Sequence, residues 1–107
     1  MAVDHGYHAY IMELLAPIGG VKSRPMFGGY GIYQEGAIFA LIAGSTLYFK
    51  VSGANQASFE ESGGQRFERM PYFSVPGDVL EEADVLLDWA RIAIAVGHAT
   101  ATMKRGK

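Results

Sequence analysis

Met26-Phe27-Gly28-Gly29-Tyr30-Gly31-Ile32-Tyr33 runs into Gln34-Glu35-Gly36, then Ala37-Ile38-Phe39-Ala40-Leu41-Ile42, Ala43-Gly44-Ser45 and Thr46-Leu47-Tyr48-Phe49-Lys50-Val51. Aromatic and β-branched residues fill the gaps between glycines, the composition of strands broken by turns. Turns this short join antiparallel neighbours, because parallel strands need a long crossover. The reading is a meander of three strands near 22–33, 37–43 and 46–51. Gly28-Gly29 is expected to mark a bend or bulge inside the first, where a Cβ would obstruct. Alternation places Leu47, Phe49 and Val51 on one face, with Tyr48 and Lys50 on the other. In the middle strand Ile38, Ala40 and Ile42 alternate with Ala37, Phe39 and Leu41. Both of its faces are apolar, so both are expected to be covered, one by helices and the other by a second subunit. Ile38, Ala40, Ile42 and Tyr48 are the candidate interface.

Outward from this stretch the period changes. Tyr7, Tyr10, Ile11, Leu14, Leu15 and Ile18 follow helical spacing, so a helix is predicted over about 4–16. Asp4 is its best cap, and Pro17 with Gly19-Gly20 ends it. Residues 53–62 read as a short helix stopped by Gly63-Gly64. Two extended pieces follow, 65–69 and 71–75, with Pro71 at an edge or a strand start. Leu80 or Ala83, then Leu86, Leu87, Ala90, Ala93, Ile94 and Gly97 mark a last helix. Asp78 with Glu81 resembles a capping box and Glu82 or Asp84 could cap a later start; the favoured reading is a helix of about 83–97 preceded by a loose turn. The residues after it lack an apolar period and are read as a frayed tail, 98–107. The expected order is α-βββ-α-ββ-α, an α+β arrangement with one antiparallel sheet and helices mainly on one side.

The chain has 107 residues, the size of one domain, with half of them apolar. It has no Cys, which removes disulfides, thiolate nucleophiles and Cys-ligated metals, and fits a reducing compartment. No apolar run approaches membrane-span length, and the N-terminal residues carry no basic cluster before an apolar stretch. A cytoplasmic protein without membrane association is the expectation. The net charge of -2 argues against bulk electrostatic binding to nucleic acid while leaving room for a local basic patch.

Residue chemistry points away from catalysis. The glycine run lacks the Lys-Ser/Thr ending of a phosphate-binding loop, and no helix follows it. His5 and His8 share a helix face, but a metal site needs three or four ligands and the third histidine, His98, lies far along the chain. No serine stands in a nucleophile elbow, and the middle of the chain has no histidine base. Glu60-Glu61 and Glu81-Glu82 read as solvated helix faces. No catalytic, cofactor-binding or metal residue is assigned. Arg24, Lys50, Arg66 and Arg69, with Tyr48, Tyr72 and the Lys104–Lys107 tail, form a candidate nucleic-acid surface of the kind that stacks single strands. The aromatic content suits a protein interface at least as well.

Several runs together are similar to the TfoX N-terminal domain family. They are Arg24-Pro25-Met26-Phe27-Gly28-Gly29-Tyr30-Gly31-Ile32-Tyr33, Phe39-Ala40-Leu41-Ile42, Leu47-Tyr48-Phe49-Lys50-Val51, Asn55 with Phe59, Met70-Pro71-Tyr72-Phe73, and Leu86-Leu87-Asp88-Trp89-Ala90. The resemblance covers about residues 5–97. It implies an α+β domain of secretion-chaperone-like architecture and a role in regulating natural competence, the uptake of DNA by bacteria. It supplies no catalytic residues. The matched positions also read as fold determinants, with bends at Gly28 and Gly29 and core at Phe27, Phe39, Leu47, Phe49 and Trp89. The reading is a regulatory, non-enzymatic module that binds a protein partner and pairs as a homodimer through a sheet face or edge.

Overall fold

The computed structural model describes residues 5–26 and 28–105, with side chains to Ala101. Asp4 and Phe27, expected as cap and core, lie outside the described residues. The elements are α1 (His5–Leu15), β1 (Val21–Met26), β2 (Gly29–Gln34), β3 (Ala37–Ala43), β4 (Thr46–Lys50), α2 (Gln56–Glu61), β5 (Tyr72–Ser74), α3 (Gly77–Leu80) and α4 (Ala83–Arg105). One antiparallel sheet has the order β1-β2-β3-β4-β5, and the α+β class holds.

The strands are distributed differently from the expectation. The stretch read as one bent strand, 22–33, is a hairpin. Met26 pairs with Gly29, and Gly28 takes φ +75 in the connection. That left-handed conformation suits glycine and reverses the chain where a bulge would only bend it. Gly29 is fixed by close approach, since a β-carbon there would collide with the Ile42 carbonyl oxygen on β3. The next turn has positive φ at both Glu35 and Gly36, the geometry of a tight two-residue hairpin whose twist matches the strands. At the other end the two extended pieces reduce to β5 and an isolated bridge between Arg66 and Phe73.

Antiparallel register assigns the faces. Ile32 opposes Ala40, Ala40 opposes Phe49, and Phe49 opposes Phe73, so these side chains share one side. They form the core with Ile11 and Leu15 of α1, Phe59 of α2 and Leu86, Ala90 and Ala93 of α4. Phe39, Phe49 and Phe59 are each closed to solvent. Burial of each side chain contributes on the order of 2–3 kcal/mol. Trp89 packs edge-on to Phe59 at 4.7 Å between ring centroids and is half-buried. Tyr10, expected on the inner stripe of α1, is instead exposed on its flank.

Helix α4 runs to Arg105, past the expected end near Gly97. Gly97 does not stop it, because this glycine serves packing. A β-carbon there would strike the Ile38 carbonyl oxygen, so its absence lets the helix lie directly on β3. Thr100 Oγ1 donates to the Val96 carbonyl at 2.9 Å and continues the turn. Among the described residues no helix is long and apolar enough to cross a membrane.

Candidate interaction surface

All helices sit on one face of the sheet. The other face carries Lys22, Arg24 and Met26 of β1, Tyr33 of β2, Ile38 and Leu41 of β3, Tyr48 and Lys50 of β4, and Tyr72 of β5. Met26, Tyr33 and Ile38 converge over Gly31, where a β-carbon would lie 2.6 Å from Met26 Sδ and 3.1 Å from Ile38 Cδ1. Residues 65–71 fold over the β5 end, bringing Phe67 to 4.8 Å from the Tyr48 ring.

The candidate interface residues separate. Ile38 and Tyr48 are on the open face and half-buried. Ala40 and Ile42 are 0% and 1% exposed in the core, under the helices. The cause is an irregularity in the β2–β3 pairing: Ile32 opposes Ala40, yet Tyr33 opposes Ile38, leaving Phe39 as the extra residue. Such a bulge puts two successive side chains, Phe39 and Ala40, on the same side and breaks the alternation. Ile38 and Leu41 thereby share the open face, and simple parity assigns Ala40 and Ile42 to the wrong side.

The candidate nucleic-acid residues separate as well. Arg24 lies over the Tyr33 ring at 5.9 Å and Lys50 over Tyr72 at 5.6 Å, both on the open face. Arg66 lies over Phe73 at 5.1 Å, toward the helices, and donates to the Met70 carbonyl at 3.1 Å. Arg69 is exposed in the 65–71 loop. Because the late segment joins β4 and Arg66 pairs beyond β5, Arg24 and the pair Arg66 and Arg69 occupy opposite edges of the sheet, with Arg66 about 24 Å from β1 across five strand spacings. Lys104 and Arg105 belong to the backbone of α4, and 106–107 lie outside the described residues. Burial, and then the neighbouring Tyr33, push the Tyr72 hydroxyl up to about 12. Its ring is 3% exposed, so it packs under Lys50 and cannot receive a stacked base.

The histidines clasp α1 and α4 to the sheet. His8 stacks on Tyr30 with 3.6 Å between centroids and shares a 2.7 Å hydrogen bond between Nε2 and Ser23 Oγ. His5 Nδ1 meets the Tyr30 hydroxyl at 2.9 Å. His98 Nε2 meets Gln34 Oε1 at 2.8 Å. Desolvation, and then the charge of His5, hold His8 below its ordinary pKa. The Ser23–His8 contact escapes sequence reading, because nothing in residue order says that α1 crosses β1 at that point. Among the described residues no group of three His, Asp or Glu comes together.

A helix-backed antiparallel sheet with a half-buried aromatic face defines an α+β domain. The chain belongs to the TfoX N-terminal domain family, which matches residues 13–97. Over 53 residues, 50% of this chain, it is 40% identical to DNA transformation protein TfoX1 of Aliivibrio fischeri and spans 25% of that protein. Over 96 residues, 89% of this chain and 84% of the relative, it is 27% identical to a Spirochaeta aurantia protein described as an uncharacterized 12.7 kDa protein in the trpE 5' region.

Proposed function

We propose that this protein is a non-enzymatic regulatory module of bacterial DNA transformation, working in the cytoplasm by binding protein, with a second copy of itself as the first occupant of the open sheet face. One observation carries the reading: in a sheet whose other side is fully covered, Tyr33, Ile38 and Tyr48 remain half-buried and cluster around Leu41. Aromatic and aliphatic residues at the centre with Lys and Arg toward the rim are the composition of an interface. The name of the Aliivibrio relative supports the pathway. Five strands about 4.8 Å apart and about five residues long present roughly 400 Å². That is about half of one partner's share in a standard interface, so the pairing is weak and reversible. Size-exclusion chromatography with light scattering tests it: a dimer that dissociates on dilution supports the reading, and a monomer at tens of micromolar removes it.

Direct binding of single-stranded nucleic acid is the second reading, favoured by Lys22, Arg24 and Lys50 sharing a face with Tyr33 and Tyr48. A mobility shift that weakens steeply with added salt would support it. The absence of any shift at low salt would end it.

A further inference from the structure

Strand β1 is the free edge of the sheet among the described residues. The opposite edge is occupied. Phe67 N–H donates to the Tyr72 carbonyl at 2.8 Å and Ser74 N–H to the Gln65 carbonyl at 2.9 Å, so residues 65–67 cover β5. On the β1 side, Glu35 N–H donates to the Gly20 carbonyl at 3.1 Å. That identifies residues 20 and 35 as a hydrogen-bonded pair. Bonded and non-bonded pairs alternate along an antiparallel ladder. Lys22 and Arg24 therefore bond inward to β2, while Val21, Ser23 and Pro25 turn their backbone groups outward. Pro25 fits this pattern, since an outward position needs no N–H for the β1–β2 ladder. The edge offers amide and carbonyl at Val21 and Ser23, and a carbonyl at Pro25, where pairing must stop.

The charged side chains of the strand itself, Lys22 and Arg24, have one sign, and the single carboxylate of the groove, Glu35, lies at its Gly20 end. Lys22 and Arg24 stand on the open face, about 7 Å apart along the strand. Both are exposed. Among the described residues neither forms an ion pair; Arg91 and Asp88 do. The two cations line a groove of about 550 Å³ with Ser23 and Tyr33, and Glu35 closes one end against Gly20.

We infer that this edge takes a short extended acidic segment of another protein, added to the sheet as a sixth strand with its carboxylates over Lys22 and Arg24. A second copy is the poorer occupant. Antiparallel pairing centred on Ser23 sets Lys22 opposite Arg24 of the copy, and centring on Lys22 sets it opposite itself; like charges directly across strands repel. Nucleic acid is poorer too, because the outward carbonyls of Val21, Ser23 and Pro25 would face phosphates. A peptide strand matches both the alternating backbone groups and the charge. This site borders the open face and shares Tyr33 with it, but it is read by peptide binding and the open-face pairing by self-association, so each has its own measurement.

Fluorescence anisotropy with a labelled peptide, Thr-Glu-Val-Glu-Val-Thr, tests the assignment on the whole protein. A lysine-for-glutamate version, two versions N-methylated at alternate backbone positions in opposite registers, and a single-stranded oligonucleotide serve as comparisons. The acidic peptide should bind in the micromolar to millimolar range and the lysine peptide should not. Lys22→Glu with Arg24→Glu should weaken acidic-peptide binding by about tenfold or more, since two attractions become repulsions. Light-scattering mass and circular dichroism of that variant establish that it is folded. N-methylation at every second residue should abolish binding in one register and spare it in the other, as a ladder requires. Equal binding of both N-methylated registers, tighter binding of the oligonucleotide, or no binding of the acidic peptide would each overturn the proposal.

Discussion

On the helix side of the sheet Ile32, Ala40, Leu47 and Phe49 are closed to solvent, and on the reverse side Tyr33, Ile38 and Tyr48 stay half-buried, covered among the described residues by the 65–71 loop at one end. Both faces are built from similar residue types. What separates them is the chain above: α1, α2 and α4 bring Ile11, Leu15, Phe59, Leu86 and Ala90 onto one side only. The same apolar chemistry therefore stabilises the fold on one face and is left without helices above it on the other. Hydropathy alone does not distinguish these uses; register and helix placement do.

The largest expected contrast is between neighbouring residues on opposite faces. Phe49→Ala removes a ring packed against Phe39 and Phe59 and should cost about 3–5 kcal/mol in urea unfolding. Tyr48→Ala, one position away on the open face, should cost about 1 kcal/mol. Equal losses would show that the two faces are not energetically distinct.

Next come the glycines that bring backbones together. Ala is normally favoured over Gly inside a helix by about 1 kcal/mol. At Gly97 the sign should reverse, because the new methyl meets the Ile38 carbonyl; forced overpacking costs about 1–3 kcal/mol. Gly77→Ala is the control, since nothing lies within 4 Å of its β-carbon. A Gly97→Ala protein that melts higher than wild type would contradict the direct seating of α4 on β3.

Asn55 is the buried polar residue joining β4 to α2. Its Oδ1 accepts from Ser52 N–H at 2.8 Å and its Nδ2 donates to the Lys50 carbonyl at 3.1 Å. Asn55→Ala leaves two backbone groups short of a partner and should cost about 1–3 kcal/mol. Asn55→Asp keeps the acceptor for Ser52 but sets a carboxylate oxygen against the Lys50 carbonyl in a buried site, and should cost at least as much.

The smallest effect is the pH dependence of the α1 clasp. His8 is held below its ordinary 6.5, so the folded state binds a proton less readily than the unfolded chain. Its contribution is present above 6.5 and lost as pH falls through the lower folded value. Urea midpoints should drop modestly between about pH 7.5 and pH 5, and His8→Asn should flatten that slope. An unchanged slope would show that His8 is not the group responsible.

Much of this fold is legible in the sequence. The helical spacing of Ile11 and Leu15, the turns at Gly36 and Gly44, and the alternation of Leu47, Phe49 and Val51 each rest on local geometry, and each reappears in the structure. The Gly28-Gly29 reversal was less legible, because a double glycine permits a bulge or a hairpin and only the fit against Ile42 decides. The surface was harder still. Tyr48 and Lys50 came from clean alternation, but every residue from Ala37 to Ile42 is apolar, so the bulge at Phe39 left no mark in hydropathy. Parity therefore sets Ala40 and Ile42 on the open face, whereas the bulge turns them into the core. Arg66 was separated from Arg24 by strand order, which the segment between β4 and β5 does not encode locally.

Light scattering on the wild-type protein and on Ile38→Glu at tens of micromolar bears most directly on the open face as the working surface. A concentration-dependent dimer is expected for wild type and a folded single chain for the variant. A wild-type protein that stays a single chain throughout, or a variant that pairs as well as wild type, would contradict it.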